Sequence, residues 1–397
     1  MDLSKKFTSI SPSPTLAIDA KFKQMKADGM NVVGFGAGEP DFDTPQHIKD
    51  AAIKAINDGL TKYTPASGIL PLKKAVCDKL KKDNNLEYEP SQIVISNGAK
   101  HSLMNVFGAI LNPGEEVIIP APYWVSYSEM VKLNDGKPVI LYAGEEDGFK
   151  ISAKRIEENI TDKTKAIIIN SPSNPTGMIY TEEELRSIAA VCLKHNIFIV
   201  SDEIYEYLIY DGKKHFSIAQ ISDEVKDITI IINGVSKTYA MTGWRIGYTA
   251  SNEKIAKAMS NVQSHATSNP NSIAQYAALA ALTGPTDELE KMIAEFSKRR
   301  DYMCERIEKI DGVSSLKPNG AFYVMMNISK LFGKQINGKT INTADDFADA
   351  FLENKLVAVV PGTGFEAKDF VRWSYATSLE NIKEGLDRLE SFLKELK

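Results

Sequence analysis

The sequence predicts an α/β protein: a large domain built on a mostly parallel sheet flanked by helices, joined to a smaller α+β domain. Three observations predict it. The chain has 397 residues, which at about 100 to 200 residues per domain is enough for two or three domains with sizeable cores. From about residue 92 onward, short runs rich in Ile and Val recur between longer amphipathic stretches, the pattern of strands alternating with helices. Those runs are apolar nearly throughout instead of alternating, as expected of strands covered by helices on both faces.

The elements follow in chain order. Residues 1–45 are too irregular to fold alone, and they are expected to form an arm and to contribute to the smaller domain. Residues 46–284 are assigned to the large domain. Its strands are read at "QIVIS" (92–96), "EEVIIPAP" (115–122), "KAIIINSP" (165–172), "IFIVSDE" (197–203), "ITIIINGVSK" (228–237) and "RIGYTAS" (245–251). Between them, "TEEELRSIAAVCLKHN" (181–196) reads as a helix with Thr181 as its N-cap and Glu184 closing a capping box. After the apolar helix "NSIAQYAALAALTGP" (271–285) the pattern changes to a long charged amphipathic stretch (285–310). Three further runs follow, "AFYVMMNI" (321–328), "LVAVVPG" (356–362) and "FVRWSYA" (370–376), so residues 285–397 are expected to form the smaller domain.

Composition narrows the function. The chain is 43% hydrophobic and 25% charged, as globular proteins are. A net charge of −5 with interspersed signs offers no basic stripe for nucleic acid or anionic lipid. Cys77, Cys192 and Cys304 are too few and too scattered for a disulfide framework, and His47, His101, His195, His215 and His265 show no metal spacing. No apolar run approaches the ~20 residues of a membrane span, and the first residues lack the apolar core of a signal peptide. A cytoplasmic protein without a metal is expected.

Ligands of open parallel sheets bind beyond the carboxyl ends of the strands. There the sequence places Asn174 in "SPSNPTG", Asp202 and Tyr205 in "SDEIY", Lys237 in "GVSK", and the turn "NGAKHS" with its backbone N–H groups. Arg245 follows shortly in "GWRIG". Taken singly each is weak: an N-P-T-G stretch is usually a turn, an Asp after a strand is often a helix cap, and a lysine is usually solvated. As a set they contain an amine, a carboxylate, a phenol, a guanidinium and an anion-binding loop. These suit a phosphate ester carrying a pyridine aldehyde. The amine can condense with the aldehyde, the carboxylate can keep the pyridine nitrogen protonated, and the phenol can hydrogen-bond the ring oxygen. Arg245 and a helix N-terminus can hold the phosphate.

With these residues in place, the chain resembles the class I aminotransferases, fold type I enzymes of pyridoxal 5′-phosphate, and within them the bacterial and archaeal subgroup acting on aspartate. The resemblance rests on seven motifs in the family's order: "GFGAGEPDFDTP" (34–45), "TKYTPASG" (61–68), "APYWVSY" (121–127), "NSPSNPTG" (170–177), "SDEIYEYLIY" (201–210), "SKTYAMTGWRIGY" (236–248) and "VRWSYATS" (371–378). It implies Lys237 as the Schiff-base lysine, with Ser236 beside it among the cofactor contacts. Asp202 is then the partner of the pyridine nitrogen, Tyr205 and Asn174 bind the ring oxygen, and Trp124 stacks on the ring. Gly98, Ala99 and Arg245 hold the phosphate, and Tyr63 reaches the phosphate of a neighbouring subunit, which requires a homodimer. For the substrate, Arg372 grips the α-carboxylate with Gly38 alongside.

The stretch 264–284 has no arginine, although another aspartate subgroup supplies one there for the distal carboxylate. Lys100 is expected in that role here, assisted by Ser13 and Thr15. The reaction implied moves the amino group of aspartate to 2-oxoglutarate by ping-pong kinetics. The same motifs also serve aminotransferases of aromatic amino acids, alanine, kynurenine or prephenate. A non-catalytic cofactor-binding regulator fits less well, because the first 30 residues are too short for a winged helix.

Overall fold

A computed structural model of the chain describes residues 3–11 and 14–397. Its centre is a seven-stranded sheet in the order Ile93–Ser96, Gly247–Ala250, Thr229–Gly234, Phe198–Asp202, Thr164–Asn170, Glu116–Ala121, Lys137–Tyr142. Every pairing is parallel except the two made by Gly247–Ala250, which runs against both neighbours. Strands 93–96, 229–234 and 247–250 are buried along their whole length, which is why their residues do not alternate in polarity. Lys137–Tyr142 was not anticipated as a strand. It is the sheet edge, half-exposed along most of its length and carrying a lysine and a proline, so it lacks the apolar run by which its neighbours are recognised.

Helices cover both faces. Glu182–His195 starts as expected, with the Thr181 hydroxyl accepting from the Glu184 N–H and the Glu184 carboxylate accepting from the Thr181 N–H. It buries Leu185, Ile188, Ala189 and Cys192, at helical spacing, against the sheet. On the other side, Ala99–Ile110 packs Leu103, Val106 and Phe107 against Val117, Ile119 and Ile230.

A second sheet of four antiparallel strands runs Val360–Pro361, Phe370–Ser374, Tyr323–Asn327, Ser314–Ser315. In it Arg372 stands opposite Met325, and Tyr323 opposite Ser374. The helices Asp287–Glu308, Ala344–Lys355 and Leu379–Glu395 pack on it around Phe347, Phe351, Trp373 and Phe392. The short strand Val33–Gly34 pairs in parallel with Val357–Ala358, and the Ser374 N–H donates to the Phe35 carbonyl, so the early residues lie against the late ones. That contact carries residues 36–39 to the mouth of the large sheet. No described helix is long and apolar enough to cross a membrane.

Candidate active site

The carboxyl ends of the parallel strands open into a cavity of about 440 Å³, walled on its far side by residues 36–39, Tyr323 and Arg372. Gly38, Ala99, Lys100, Trp124, Asn174, Asp202, Tyr205, Ser236, Lys237, Arg245 and Arg372 all line it.

Lys237 follows the end of strand Thr229–Gly234, and its Nζ donates to the Gly38 carbonyl at 2.5 Å. Burial pushes this amine down to about 8; Glu39 opposes the change, while Arg245 and Arg372 add to it. Asp202 ends the neighbouring strand and is only 3% exposed. It accepts from the Tyr127 hydroxyl at 2.6 Å and from the Ile204 N–H at 3.2 Å. Those bonds pull its pKa down, but burial outweighs them and leaves it pushed up to about 6. Here is a carboxylate taken out of water at a cost that a cationic ring nitrogen would offset. Beneath it, Glu203 and Glu206 are also buried, but they are already paired, Glu203 with His215 at 2.9 Å and Glu206 with Lys79 at 2.5 Å.

The anion end is built by close backbone approach. Helix Ala99–Ile110 points its N-terminus into the cavity; the His101 and Ser102 N–H groups bond back to the Gly98 carbonyl, while those of Ala99 and Lys100 have no acceptor among the described residues. Gly98 caps it at φ +84, and a Cβ there would lie 2.5 Å from the Arg245 Nη2. A Cβ on Gly247 would run into the Ala99 nitrogen. Both positions need glycine if the arginine and the helix end are to meet. Arg245 donates to the Thr242 carbonyl at 2.8 Å and the Asn97 carbonyl at 3.4 Å, which holds its guanidinium at the helix end. Arg245 stands two residues before Gly247–Ala250, the strand of the large sheet that runs against its neighbours, and so reaches the same edge of that sheet as residues that end the parallel strands.

At the opposite wall Arg372 is 2% exposed, and no carboxylate pairs with it among the described residues. Its Nη1 donates to the Asn174 Oδ1 at 2.8 Å and its Nη2 to the Gly36 carbonyl at 3.1 Å, while the buried Nε has no partner. The guanidinium carbon lies 4.3 Å from the Tyr323 ring centroid and 5.0 Å from that of Phe365. A buried, unneutralised guanidinium with a spare N–H is prepared for an incoming carboxylate. Lys100 extends over the Trp124 ring at 4.8 Å, and burial, then Arg245, lowers its pKa from the usual lysine range.

Of the other residues expected at the site, Tyr63 is 91% exposed and does not line this chain's cavity. Ser13 lies outside the described residues, and Thr15 is described only as part of the helix backbone Pro14–Ala27. The cavity also contains residues not singled out from the sequence: Glu39, Ser126, Tyr127, Asn170, Thr242 and Tyr323. Glu39 and Tyr127 fall within motifs noted for other residues, and Tyr323 sits in an apolar strand run where nothing distinguishes it from core.

The donor set fits pyridoxal 5′-phosphate. An amine of lowered pKa, a buried carboxylate in need of a cation, and an anion cradle closed against side chains at Gly98 all face one cavity. Comparison with known proteins agrees. The family model of class I and II aminotransferases matches residues 30–389. An aspartate aminotransferase of Bacillus subtilis (strain 168) is 54% identical over 394 residues, covering 99% of each chain. A probable aspartate/prephenate aminotransferase of Aquifex aeolicus (strain VF5) is 46% identical over 99% of each. Among solved structures, the aspartate aminotransferase from Rhizobium meliloti superposes with a TM-score of 0.96 at 43% identity, covering 100% of both chains. That of Thermus thermophilus with maleate gives 0.93 at 40%, covering 99% of this chain and 100% of that one. The chain therefore belongs to the class I and II aminotransferases, enzymes whose cofactor is pyridoxal 5′-phosphate.

Proposed function

We propose that the enzyme transfers the amino group of L-aspartate to 2-oxoglutarate, giving oxaloacetate and L-glutamate. The observation that carries this is a cavity with two separate cationic grips, Arg372 at one wall and Lys100 at another, flanking the amine of Lys237. When bound, the cofactor supplies an aldehyde that condenses with amines and a pyridine ring that withdraws electrons from the substrate Cα.

The chain's own residues do the rest. Asp202 holds the proton on the ring nitrogen, and the first turn from Ala99, with Gly98 and Arg245, holds the phosphate. Tyr205 donates to the ring oxygen. Asn174 accepts from Arg372 at its Oδ1, which leaves its amide N–H groups to donate to the same ring oxygen. Trp124 covers the ring face. Lys237, its amine pushed down to about 8, would take the proton from the substrate Cα and deliver it to the cofactor carbon that carried the aldehyde. Arg372, with Gly38 alongside, would grip the α-carboxylate in a planar two-point contact and so fix which Cα bond is presented to Lys237; orientation of this kind selects proton transfer over loss of the carboxylate. Because amino acid and 2-oxo acid use one cavity in turn, rates follow ping-pong kinetics.

Lys100 takes the distal carboxylate. The structure of the Thermus thermophilus relative contains maleate, a dicarboxylate, which supports a substrate with two carboxylates. Prephenate is a second acceptor to consider, since the Aquifex aeolicus relative is named for both substrates. The exposed side chains of Ile53, Ile56, Tyr63 and Leu70 support a homodimer in which Tyr63 reaches the partner's phosphate. The expected cytoplasmic setting remains part of this reading.

An amino-donor screen with 2-oxoglutarate as acceptor, and a second with prephenate, tests the assignment. Aspartate should lead the donors, and Lys100→Ala should raise the KM for aspartate about tenfold more than that for alanine. Equal effects on both donors would remove Lys100 from the distal grip.

A further inference from the structure

We propose that Tyr323 is a positioning residue that orients both ends of the reacting complex, directing the Tyr205 proton toward the cofactor ring oxygen and holding the plane of the Arg372 guanidinium. The inference rests on the roles given above to Tyr205 and Arg372 and adds a residue that neither motif nor periodicity marked.

Tyr323 opens the strand Tyr323–Asn327 and is 0% exposed. Its ring face carries the Arg372 guanidinium carbon at 4.3 Å. Its hydroxyl lies 3.0 Å from the Tyr205 hydroxyl and has no other hydrogen-bond partner among the described residues. Burial raises the pKa of both phenols, so each keeps its single proton.

Only one arrangement of those two protons satisfies every group. Were Tyr205 to donate to Tyr323, the Tyr323 proton would have no acceptor and Tyr205 would face the ring oxygen with lone pairs alone. In the reverse order Tyr323 donates to Tyr205, and Tyr205 donates to the ring oxygen. A phenol that accepts one hydrogen bond also becomes a better donor of the next. The same ring stacks on the guanidinium, so a single side chain registers the cofactor oxygen against the substrate carboxylate.

The test uses cofactor-loaded enzyme and three variants: Tyr205→Phe, Tyr323→Phe and Tyr323→Leu. Two quantities are read, the pH midpoint of the cofactor's visible absorbance and the dissociation constant of maleate as an unreactive dicarboxylate. Tyr323→Phe should raise the midpoint by roughly half a pH unit, about threefold in the protonation equilibrium, in the same direction as the larger rise with Tyr205→Phe. Its maleate affinity should stay within about twofold, because the ring remains. Tyr323→Leu should show a similar midpoint and bind maleate about tenfold more weakly. A Tyr323→Phe midpoint equal to wild type, with Tyr205→Phe shifted, would overturn the relay. Unchanged maleate affinity in Tyr323→Leu would overturn the platform. If Tyr205→Phe itself leaves the midpoint in place, the role of Tyr205 falls, and the relay with it.

Discussion

Asp202→Asn should make the cofactor-free protein more stable and the cofactor-loaded protein less so. In an unfolded chain an aspartate titrates near about 3.9. In the fold Asp202 is pushed up to about 6, chiefly by burial, with the Tyr127 hydroxyl and the Ile204 N–H offsetting only part of the cost. The difference of about two pH units, at about 1.4 kcal/mol each, amounts to about 3 kcal/mol.

The folded pKa is raised, so the folded state binds more protons between those two values. Stability of the cofactor-free protein therefore falls as pH climbs from about 4 to about 6, and stays lower above that. Asparagine keeps the shape and carries no charge: its oxygen can accept from the Ile204 N–H, and the Tyr127 hydroxyl can turn to accept from its amide. Denaturation midpoints of both cofactor-free proteins should then coincide near about pH 4 and diverge in favour of the variant by up to about 3 kcal/mol at about pH 8. With pyridoxal 5′-phosphate the order should reverse, because the amide cannot hold a proton on the ring nitrogen. A cofactor-free variant less stable than wild type at about pH 8 would refute the claim that this carboxylate is buried at a cost to the fold.

Three further outcomes are expected. Since Lys237 is pushed down to about 8, the rate at which cofactor-free protein takes up pyridoxal 5′-phosphate should rise with pH through about 8 and then level; a rise only above about 10, as for a solvated lysine, would contradict its burial. Arg372→Lys keeps the charge but loses the fork and the stacking, and should lower kcat/KM by about 10- to 100-fold in steady-state assays; a loss under about threefold would show that charge alone suffices there. Tyr63→Phe should weaken cofactor affinity by about tenfold, and sedimentation should find the enzyme dimeric; a fully active monomer would remove Tyr63 from the site.

Much of the site was legible because its chemistry follows the strands. Asp202, Asn174 and Lys237 each lie at or just beyond the end of an Ile-rich run, and a run buried on both faces announces itself in local composition. The capping box at Thr181 and Glu184 was equally readable, since it depends on residues three apart. Other features depend on partners far along the chain. Lys137–Tyr142 is a strand because a neighbour offers it hydrogen bonds, not because its own residues demand it. Tyr323 matters only because Tyr205 and Arg372 come to its hydroxyl and its ring face.

By itself the sequence determined the alternation of strand and helix, the set of reactive groups and the edge of the sheet at which most of them stand, because period, apolar content and strand-end position are local properties. Only the tertiary structure decided that the Gly247–Ala250 strand runs backward and so delivers Arg245 to that edge, that Gly98 and Gly247 must lack side chains for the helix end to reach it, and that Arg372 is buried without a counter-charge among the described residues. Strand direction, close approach and desolvation are set by residues distant in sequence, and the titration of Lys237 and Asp202 follows from the desolvation alone more than from any neighbour the chain order could have named.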